Sequence, residues 1–538
     1  MMMTAAHLIF FAVLTLSFLL NFTHYMHMFQ LNSYDREEQL HWIGKNPGNI
    51  FLRHLLPLLA AVYALIFCAI DPDTGYGCIR YPSPSASDLL ICAGLILVGL
   101  IFCRHKHAKK KLVFTPRVIR MCVTSGILYF AVSLSLLYTL THTMKGGGLL
   151  LLLCLGHVLS LFLPMIANFI NKPIEKGVNN HYIRDAKRII AELPNTTVIG
   201  ITGSFGKTST KFYLQKLLSA KYNVLMTPES YNTTMGVVKT VRGSLNASHE
   251  IFLCEMGAKK VGEIKEICDI VHPKHSIITS IGEQHLESFH SVENIVKTKF
   301  EIADCVTDGT VFLNYDNPYI REHKIPQKVV TYGIGEGEYD YKGTDIAVSA
   351  KGTSFTVRHG TEEQRFTTPL LGEHNVQNIV GAIAVANTFG IDFPDLVFPV
   401  KRLEGVPHRM EILDKGNGIT VIDDAFNSNP AGARAALKTL SGFEGERVLV
   451  TPGMVELGER EYQLNKELGE YAAGCCDLAV LVGERQAPPI REGLLAVGFS
   501  EEKIRVVKDL GEGLREAYAY HTGVPRVILL ENDLPDNY

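Results

Sequence analysis

The run Val198–Lys211, V-I-G-I-T-G-S-F-G-K-T-S-T-K, has the residue types and order needed to hold a polyphosphate. Its β-branched apolar start reads as a buried strand, Gly203 and Gly206 open a loop, and Lys207-Thr208 leads into the helical pattern F-Y-L-Q-K-L-L. Glycines let backbone N–H groups turn inward, and a helix N-terminus adds partial positive charge. The lysine reaches the terminal phosphates and the threonine hydroxyl can ligate Mg2+. Thr202, Gly203, Ser204, Gly206, Lys207, Thr208 and Ser209 are the candidate nucleotide-binding residues of this stretch. Ile201 stands where the strict G-x-x-x-x-G-K-[ST] pattern has its first glycine, so the strand-loop-helix context carries the reading more than the bare motif does.

Further candidates follow along the chain. Glu255 ends the apolar strand pattern E-I-F-L-C-E, and an acidic residue at a strand end near a phosphate loop is a natural Mg2+ ligand, although it could equally cap the following turn. The strand pattern H-S-I-I-T-S-I leads to His285, and V-K-T-K-F-E-I places Lys297, Lys299 and Glu301 on a helix. Asp423-Asp424 follows another apolar strand, where such a pair is often only a turn.

The elements that must position these residues divide the 538-residue chain. Its first 170 or so residues are dominated by apolar runs, and the remainder reads as an α/β chain. Five stretches are expected to cross a bilayer: Ala5–Met28, Phe51–Ile70, Asp88–Cys103, Met121–Leu140 and Gly148–Ile170, the third being short. No basic leader or small-residue cleavage site accompanies the first, so a cleaved signal peptide is not expected. The loop carrying Arg104, Lys106, Lys109, Lys110, Lys111, Arg117 and Arg120 is the basic one. The positive-inside rule therefore puts it, and everything after Ile170, in the cytoplasm of a multi-pass cell-membrane protein. Residues 173–194 read as an amphipathic connector. From 195 to 405 strand and helix patterns alternate, with a strand-rich β excursion over Gly309–Thr368. From 406 to 538 apolar strands recur at Ile419–Ile422, Val448–Val450, Leu478–Val482, Ile504–Val507 and Val527–Leu530. The expected fold class is α/β: a P-loop-type central ATPase domain and a C-terminal doubly wound, Rossmann-like domain, preceded by an α-helical transmembrane region, residues 1–172. A net charge of −3 gives no sign of nucleic-acid binding. Eleven cysteines without a C-x-x-C pair offer neither a zinc site nor a disulfide framework and suit a reducing cytoplasm.

In order, T-G-S-F-G-K-T-S, N-T-T-M-G-V, E-M-G-A, H-L-E-S-F-H with K-T-K-F-E, G-E-H-N-V-Q-N-I-V-G-A, H-R-M-E, D-D-A-F-N-S-N-P and G-M-V-E-L-G-E run from about Pro194 to the C-terminus. Together they resemble the Mur ligases, ATP-dependent amide-forming enzymes of peptidoglycan precursor synthesis, and within that family the branch that adds D-alanyl-D-alanine to a muramoyl tripeptide. The resemblance implies that Lys207 and Thr208 hold the phosphates of ATP and one Mg2+, with Glu255 as a further ligand. It implies that His285 meets a second Mg2+ and that Lys299 is the family's carbamylated lysine, with Lys297 the competing candidate. His374, Asn375 and Asn378 match the H-N-x-x-N motif near adenine. Arg409 matches an arginine reaching ATP, and Asp424, or else Asp423, the aspartate on the ribose side, with Asn427 nearby. Lys207, His285, Lys299 and Arg409 form the implied catalytic set.

The implied chemistry converts a substrate carboxylate into an acyl phosphate that an amine then displaces. The implied partners are a muramoyl-peptide or related carboxylate acceptor, an amino acid or dipeptide amine, the lipid bilayer and membrane proteins of wall synthesis, with no nucleic acid. Two departures from the family bear on the substrates. Apolar membrane-type segments occupy the place of the UDP-sugar-binding domain, and L-L-E-N-D stands where the family has K-G-S after its final strand. A lipid-linked acceptor, a polyglutamate-type polymer and an inactive ATP-binding scaffold are therefore the alternative readings.

Overall fold

The computed structural model describes residues 5–69, 86–102, 110–142, 159–349, 352–414, 418–426, 428–520 and 525–534, and Asn427 lies outside them. Two compact units are formed, Met1–Asn179 and Asn180–Leu534.

The first unit is helical, with helices Ala5–Leu31, Arg36–Lys45, Pro47–Ala69, Ala86–Phe102, Pro116–His142 and the start of Leu163–Ala191. Phe18, Phe22, Met26, Phe29, Val118, Met121 and Ala167 pack as one of its apolar clusters. Polar groups also face inward. Tyr25 Oη lies 2.7 Å from His54 Nε2, the Arg117 guanidinium stacks 4.0 Å above the Tyr34 ring, and Arg120 grips Glu175 through two bonds of 2.7 and 2.9 Å. Large apolar side chains meanwhile point outward, Phe130 and Phe169 at 71% and 75% exposure.

The multi-span expectation needs correction. Among the described residues one helix, over Leu8–Leu31, is long and apolar enough to cross a membrane, and Ala86–Leu100 is shorter than a bilayer requires. The helix expected as the second span carries Arg53 and His54, and the helix holding the fourth begins at Pro116, so that Arg117 and Arg120, expected in the basic loop, belong to its first turns. These residues are costly in a lipid-facing stretch unless partnered inside. The fifth expected span begins outside the described residues. A single helix, Leu163–Ala191, runs through the stretch expected to change from span to connector, with Pro173 inside it.

The second unit holds two mixed sheets. The first orders its strands β2-β3-β1-β4-β5-β6-β7-β8-β9: β1 Thr197–Thr202, β2 Val224–Met226, β3 Ile251–Glu255, β4 His275–Ile278, β5 Thr310–Asn314, β6 Lys328–Gly333, β7 Tyr341–Ser349, β8 Gly352–His359 and β9 Glu362–Thr368. Strands β1 to β7 pair in parallel, and β8 and β9 add an antiparallel edge, so the β excursion extends the same sheet. Both faces are covered, as a parallel sheet requires. On one side lie Tyr213, Leu214, Leu217 and Leu218 of helix Lys207–Leu218, with Ile379 and Ile383 of helix Glu373–Thr388. On the other lie Ile264 and Ile267 of helix Glu263–Val271, with Ile295, Phe300 and Ile302 of helix Val292–Asp304. Gly200 in β1 is needed for this packing, because a Cβ there would come within 2.6 Å of Ile302 Cδ1.

The second sheet is ordered β10-β11-β15-β12-β13-β14: β10 Glu411–Asp414, β11 Ile419–Asp424, β12 Glu446–Thr451, β13 Leu478–Val482, β14 Ile504–Val507 and β15 Arg526–Glu531. The five expected C-terminal strands correspond to β11–β15, which run parallel. The antiparallel β10 adds an edge not anticipated from sequence.

Candidate active site

In the first sheet the neighbours of β1 lie to either side of it, β3 on one edge and β4 on the other. The chain thus reverses direction across the sheet at β1, and a crevice opens beyond the carboxyl ends of these strands, the usual ligand position of such sheets. The loop 203–206 lies there. Gly206 begins helix Lys207–Leu218 at φ 80°, and a Cβ on it would meet Asn378 Oδ1 at 2.7 Å, so only glycine leaves the loop this close to helix Glu373–Thr388. The loop is clamped to the end of β4. Phe205 N donates to Ser280 Oγ at 2.9 Å, Thr279 Oγ1 donates to Phe205 O at 2.6 Å, and Ser204 N donates to Ser280 O at 2.7 Å. Thr202 Oγ1 donates to Met256 O at 2.8 Å, and Ser209 is buried in the first helical turn.

Lys207 folds back over this loop, its Nζ donating to Gly203 O at 2.7 Å and to Ser204 O at 3.2 Å. Burial pulls its pKa down to about 8, with Arg409 adding to the fall and Glu255 opposing it. Glu255, at the end of β3, is fully buried. One oxygen accepts from Thr208 Oγ1 and Asn232 Nδ2, each at 3.1 Å, and the other lies 3.0 Å from Lys211 Nζ. Burial alone would raise the carboxyl pKa, but the charges of Lys211 and Lys207 hold it below the ordinary glutamate value. Lys211 also donates to Glu229 O, tying down the loop that carries Asn232.

Two lysines two residues apart are separated by their environments. Lys297 is exposed, whereas Lys299 is 3% exposed and no hydrogen bond or ion pair reaches it among the described residues. Burial, reinforced by Lys207, holds the Lys299 pKa well below the usual lysine range. That shift favours the neutral amine, the form able to take up carbon dioxide, and the product would be an anion. His285, at the start of the short helix Leu286–Phe289, stands 2.5 Å through Nδ1 from Glu456 Oε2. Burial lowers its pKa, while His285 and Lys259 outweigh burial at Glu456 and bring that carboxyl to about 2.

Arg409 sits in the segment leading into β10, flanked by His408 and Met410 at φ 60° and 50°. Its guanidinium lies 4.4 Å from the Phe426 ring centroid and faces Glu255 and Asp424 electrostatically. Asp424 accepts from Met410 N at 3.1 Å, and burial lifts its pKa to about 6. Asp423 is committed elsewhere, 2.8 Å from His408 Nδ1. Asn375 accepts from Tyr213 Oη at 2.7 Å and donates to Leu371 O at 2.8 Å, joining the two helices behind the loop. The His374 ring lies against Gly372, and its enclosure holds the pKa near 4. Where L-L-E-N-D departs from the family pattern, Glu531 ends β15 fully buried, accepts from Ser428 Oγ and, at 2.7 Å, from Thr451 Oγ1, and burial pushes its pKa up to about 7.

Lys207, Glu255, Lys299, His285 and Arg409 therefore converge on one crevice, with Asp424 reaching it from the second sheet. The donor set fits a magnesium nucleotide: a glycine cradle, a hydroxyl, a buried carboxylate, a low-pKa imidazole, a buried lysine of lowered pKa and the two cations Lys207 and Arg409. Sequence reasoning missed Lys211, Asn232, Tyr213 and Glu456. Lys211 was the most accessible of these, because its position four residues after Lys207 places it on the same helix face.

Residues 201–386 match the Mur ligase middle domain, and residues 408–531 match the Mur ligase glutamate ligase domain, together more than half of the chain. The UDP-N-acetylmuramoyl-tripeptide--D-alanyl-D-alanine ligase of Bacillus subtilis is 34% identical over 286 residues, covering 53% of this chain and 62% of the relative. The enzyme of the same name from Escherichia coli is 28% identical over 331 residues, covering 59% of this chain and 73% of the relative. The chain thus spans less than two thirds of the Bacillus protein's length. Among solved structures, MurF from Acinetobacter baumannii superposes with a TM-score of 0.60 at 26% identity, covering 67% of this chain and 78% of that one. A MurF ligase from Thermotoga maritima, in complex with ADP, also superposes with a TM-score of 0.60 at 26% identity, covering 66% and 80%. With both domain matches in succession over the two sheets that form the crevice, the chain belongs to the Mur ligase family.

Proposed function

We propose that this chain is an ATP-dependent ligase of peptidoglycan precursor synthesis that joins D-alanyl-D-alanine to a muramoyl tripeptide. The observation that carries the proposal is the cluster of Lys207, Thr208, Glu255 and Lys299 facing Arg409 and Asp424 from the second sheet. Backbone N–H groups of the glycine loop and Lys207 would hold the phosphates of ATP. Thr208, Glu255, His285 and a carbamylated Lys299 would hold Mg2+, which when bound neutralises charge on the transferring phosphoryl group. Arg409 would reach the phosphates, Asp424 the ribose side, and His374, Asn375 and Asn378 the adenine side. The substrate carboxylate attacks the γ-phosphate to give an acyl phosphate and ADP, and the amine nitrogen then attacks the acyl carbon, releasing phosphate and a proton. Docking of the second sheet over the crevice would keep water from the acyl phosphate.

The N-terminal unit is read as a membrane anchor with the ligase regions on the cytoplasmic side. Outward apolar side chains such as Phe130 and Phe169 around inward polar pairs support that reading, with the apolar helix over Leu8–Leu31 as its one candidate span among the described residues. Such an anchor would place the site beside lipid-linked precursors and membrane proteins of wall synthesis.

Detergent-purified protein given Mg-ATP, UDP-muramoyl tripeptide and D-alanyl-D-alanine should release phosphate and form a pentapeptide detectable by mass, and Lys207→Ala should form none. Absence of product, with a soluble family member active in the same assay, would overturn the soluble-precursor reaction.

A further inference from the structure

Glu456 lies on the loop after β12, in the region of the second sheet, yet its carboxylate accepts from the Nδ1 of His285, 171 residues away and beside the first sheet. Lys259 stands 3.3 Å from its other oxygen. Neighbouring contacts hold the loop in register: Arg460 pairs with Glu283, and the Gly458 backbone packs on that of Glu287. Glu456 and His285 both have left-handed backbones, at φ 62° and 53°, a conformation that persists when surrounding contacts over-determine it.

A neutral imidazole carries its proton on one nitrogen only, and the hydrogen bond made by one nitrogen decides which. With Nδ1 donating to Glu456, the lone pair belongs to Nε2. Histidines that bind metal are commonly oriented by a carboxylate in this way. We propose that Glu456 is a positioning residue for the metal site: it fixes the tautomer of His285 and readies Nε2 for Mg2+, so that this ligand is complete only when the second-sheet region is docked on the first. The inference rests on the reading of His285 as a metal ligand. Metal binding and docking then favour one another by the same factor.

The opposing arrangement is a latch, in which Glu456 occupies His285 and must let go when metal arrives. The two differ in sign. Mn2+ binding to the full-length protein, saturated with a non-hydrolysable ATP analogue, is followed by the electron paramagnetic resonance signal of the free ion. Affinity for the metal-free analogue is measured alongside, and thermal unfolding confirms folding. Glu456→Ala should weaken Mn2+ binding by about 10-fold to 100-fold. It should leave the affinity for the metal-free analogue unchanged. Glu456→Gln, which keeps an acceptor oxygen but loses the charge, should fall in between. Unchanged or tighter Mn2+ binding in Glu456→Ala, with His285→Ala weakened, would overturn the role of Glu456 alone. Wild-type Mn2+ binding in His285→Ala would instead overturn the metal-ligand reading, and the inference with it.

Discussion

Replacing Lys211 by methionine should destabilise the ligase unit, by an amount set by what remains around Glu255. Both side chains of this ion pair are 0% exposed and lie 3.0 Å apart. Removing one partner of a buried pair costs about 3–5 kcal/mol, because the other charge is left behind in a poorly polarisable site. Here Thr208 and Asn232 still donate to the carboxylate, and Lys207 and Arg409 still face it. The loss should therefore lie near the lower bound, about 3 kcal/mol, with about 1 kcal/mol more for the stranded Glu229 carbonyl. At roughly 2 °C per kcal/mol for a unit of this size, the calorimetric midpoint should fall by about 8 °C. Pairing Lys211→Met with Glu255→Gln removes both charges and should restore at least about 2 kcal/mol, a coupling that independent sites do not show. A midpoint within about 1 °C of wild type for Lys211→Met, or a double variant as unstable as the two single losses added, would refute the reasoning.

Three other outcomes are expected. Gly206→Ala must place a Cβ at φ 80° against Asn378 Oδ1, and should weaken ATP-analogue binding at least about 10-fold by calorimetric titration while lowering stability by about 1–2 kcal/mol. Lys297→Ala, on the exposed face, should leave turnover near wild type, whereas Lys299→Ala should abolish product in the phosphate-release assay. For Glu531, whose carboxyl is raised from 4.5 to about 7, folded and unfolded chains are both protonated at low pH. Between those values only the unfolded chain gives up its proton, so the folded state loses stability as pH rises through the window. Melting curves of Glu531→Gln should accordingly gain on wild type between about pH 5 and about pH 8, and a constant difference would contradict the assignment.

The strand, glycine loop and helix of residues 197–218 and the order of the family motifs were legible because each is a short contiguous string whose spacing carries its meaning. The strand positions of the second sheet were legible for a related reason, since runs such as L-A-V-L-V are too apolar to face water on either side. What escaped depends on distance in the chain. Lys211 becomes a partner of Glu255 only once β3 lies beside β1, and Glu456 becomes a partner of His285 only across 171 residues. The ambiguity between Lys297 and Lys299 was likewise one of facing: two positions on a helix differ by a rotation that no local pattern revealed, and in the fold only Lys299 is buried. The expectation of five spans went further than the described helices, of which one is long and apolar enough to cross a membrane, because hydropathy over a window does not register that Arg53 and His54 are buried and that His54 meets Tyr25.

The position of β15 constrains how the protein is made. It is the latest described strand to leave the ribosome, yet it lies between β11 and β12, pairing with both. The first sheet can close during synthesis, whereas the second has a gap in its middle until residues 526–531 emerge, and long-range parallel pairing of this kind is slow. Asp424, the last residue of β11, and Ser428 beyond it meet Glu531 only at that moment. A nascent chain would thus carry a finished glycine loop while its second half is still open, and translation must run through β15 before the crevice acquires both of its walls.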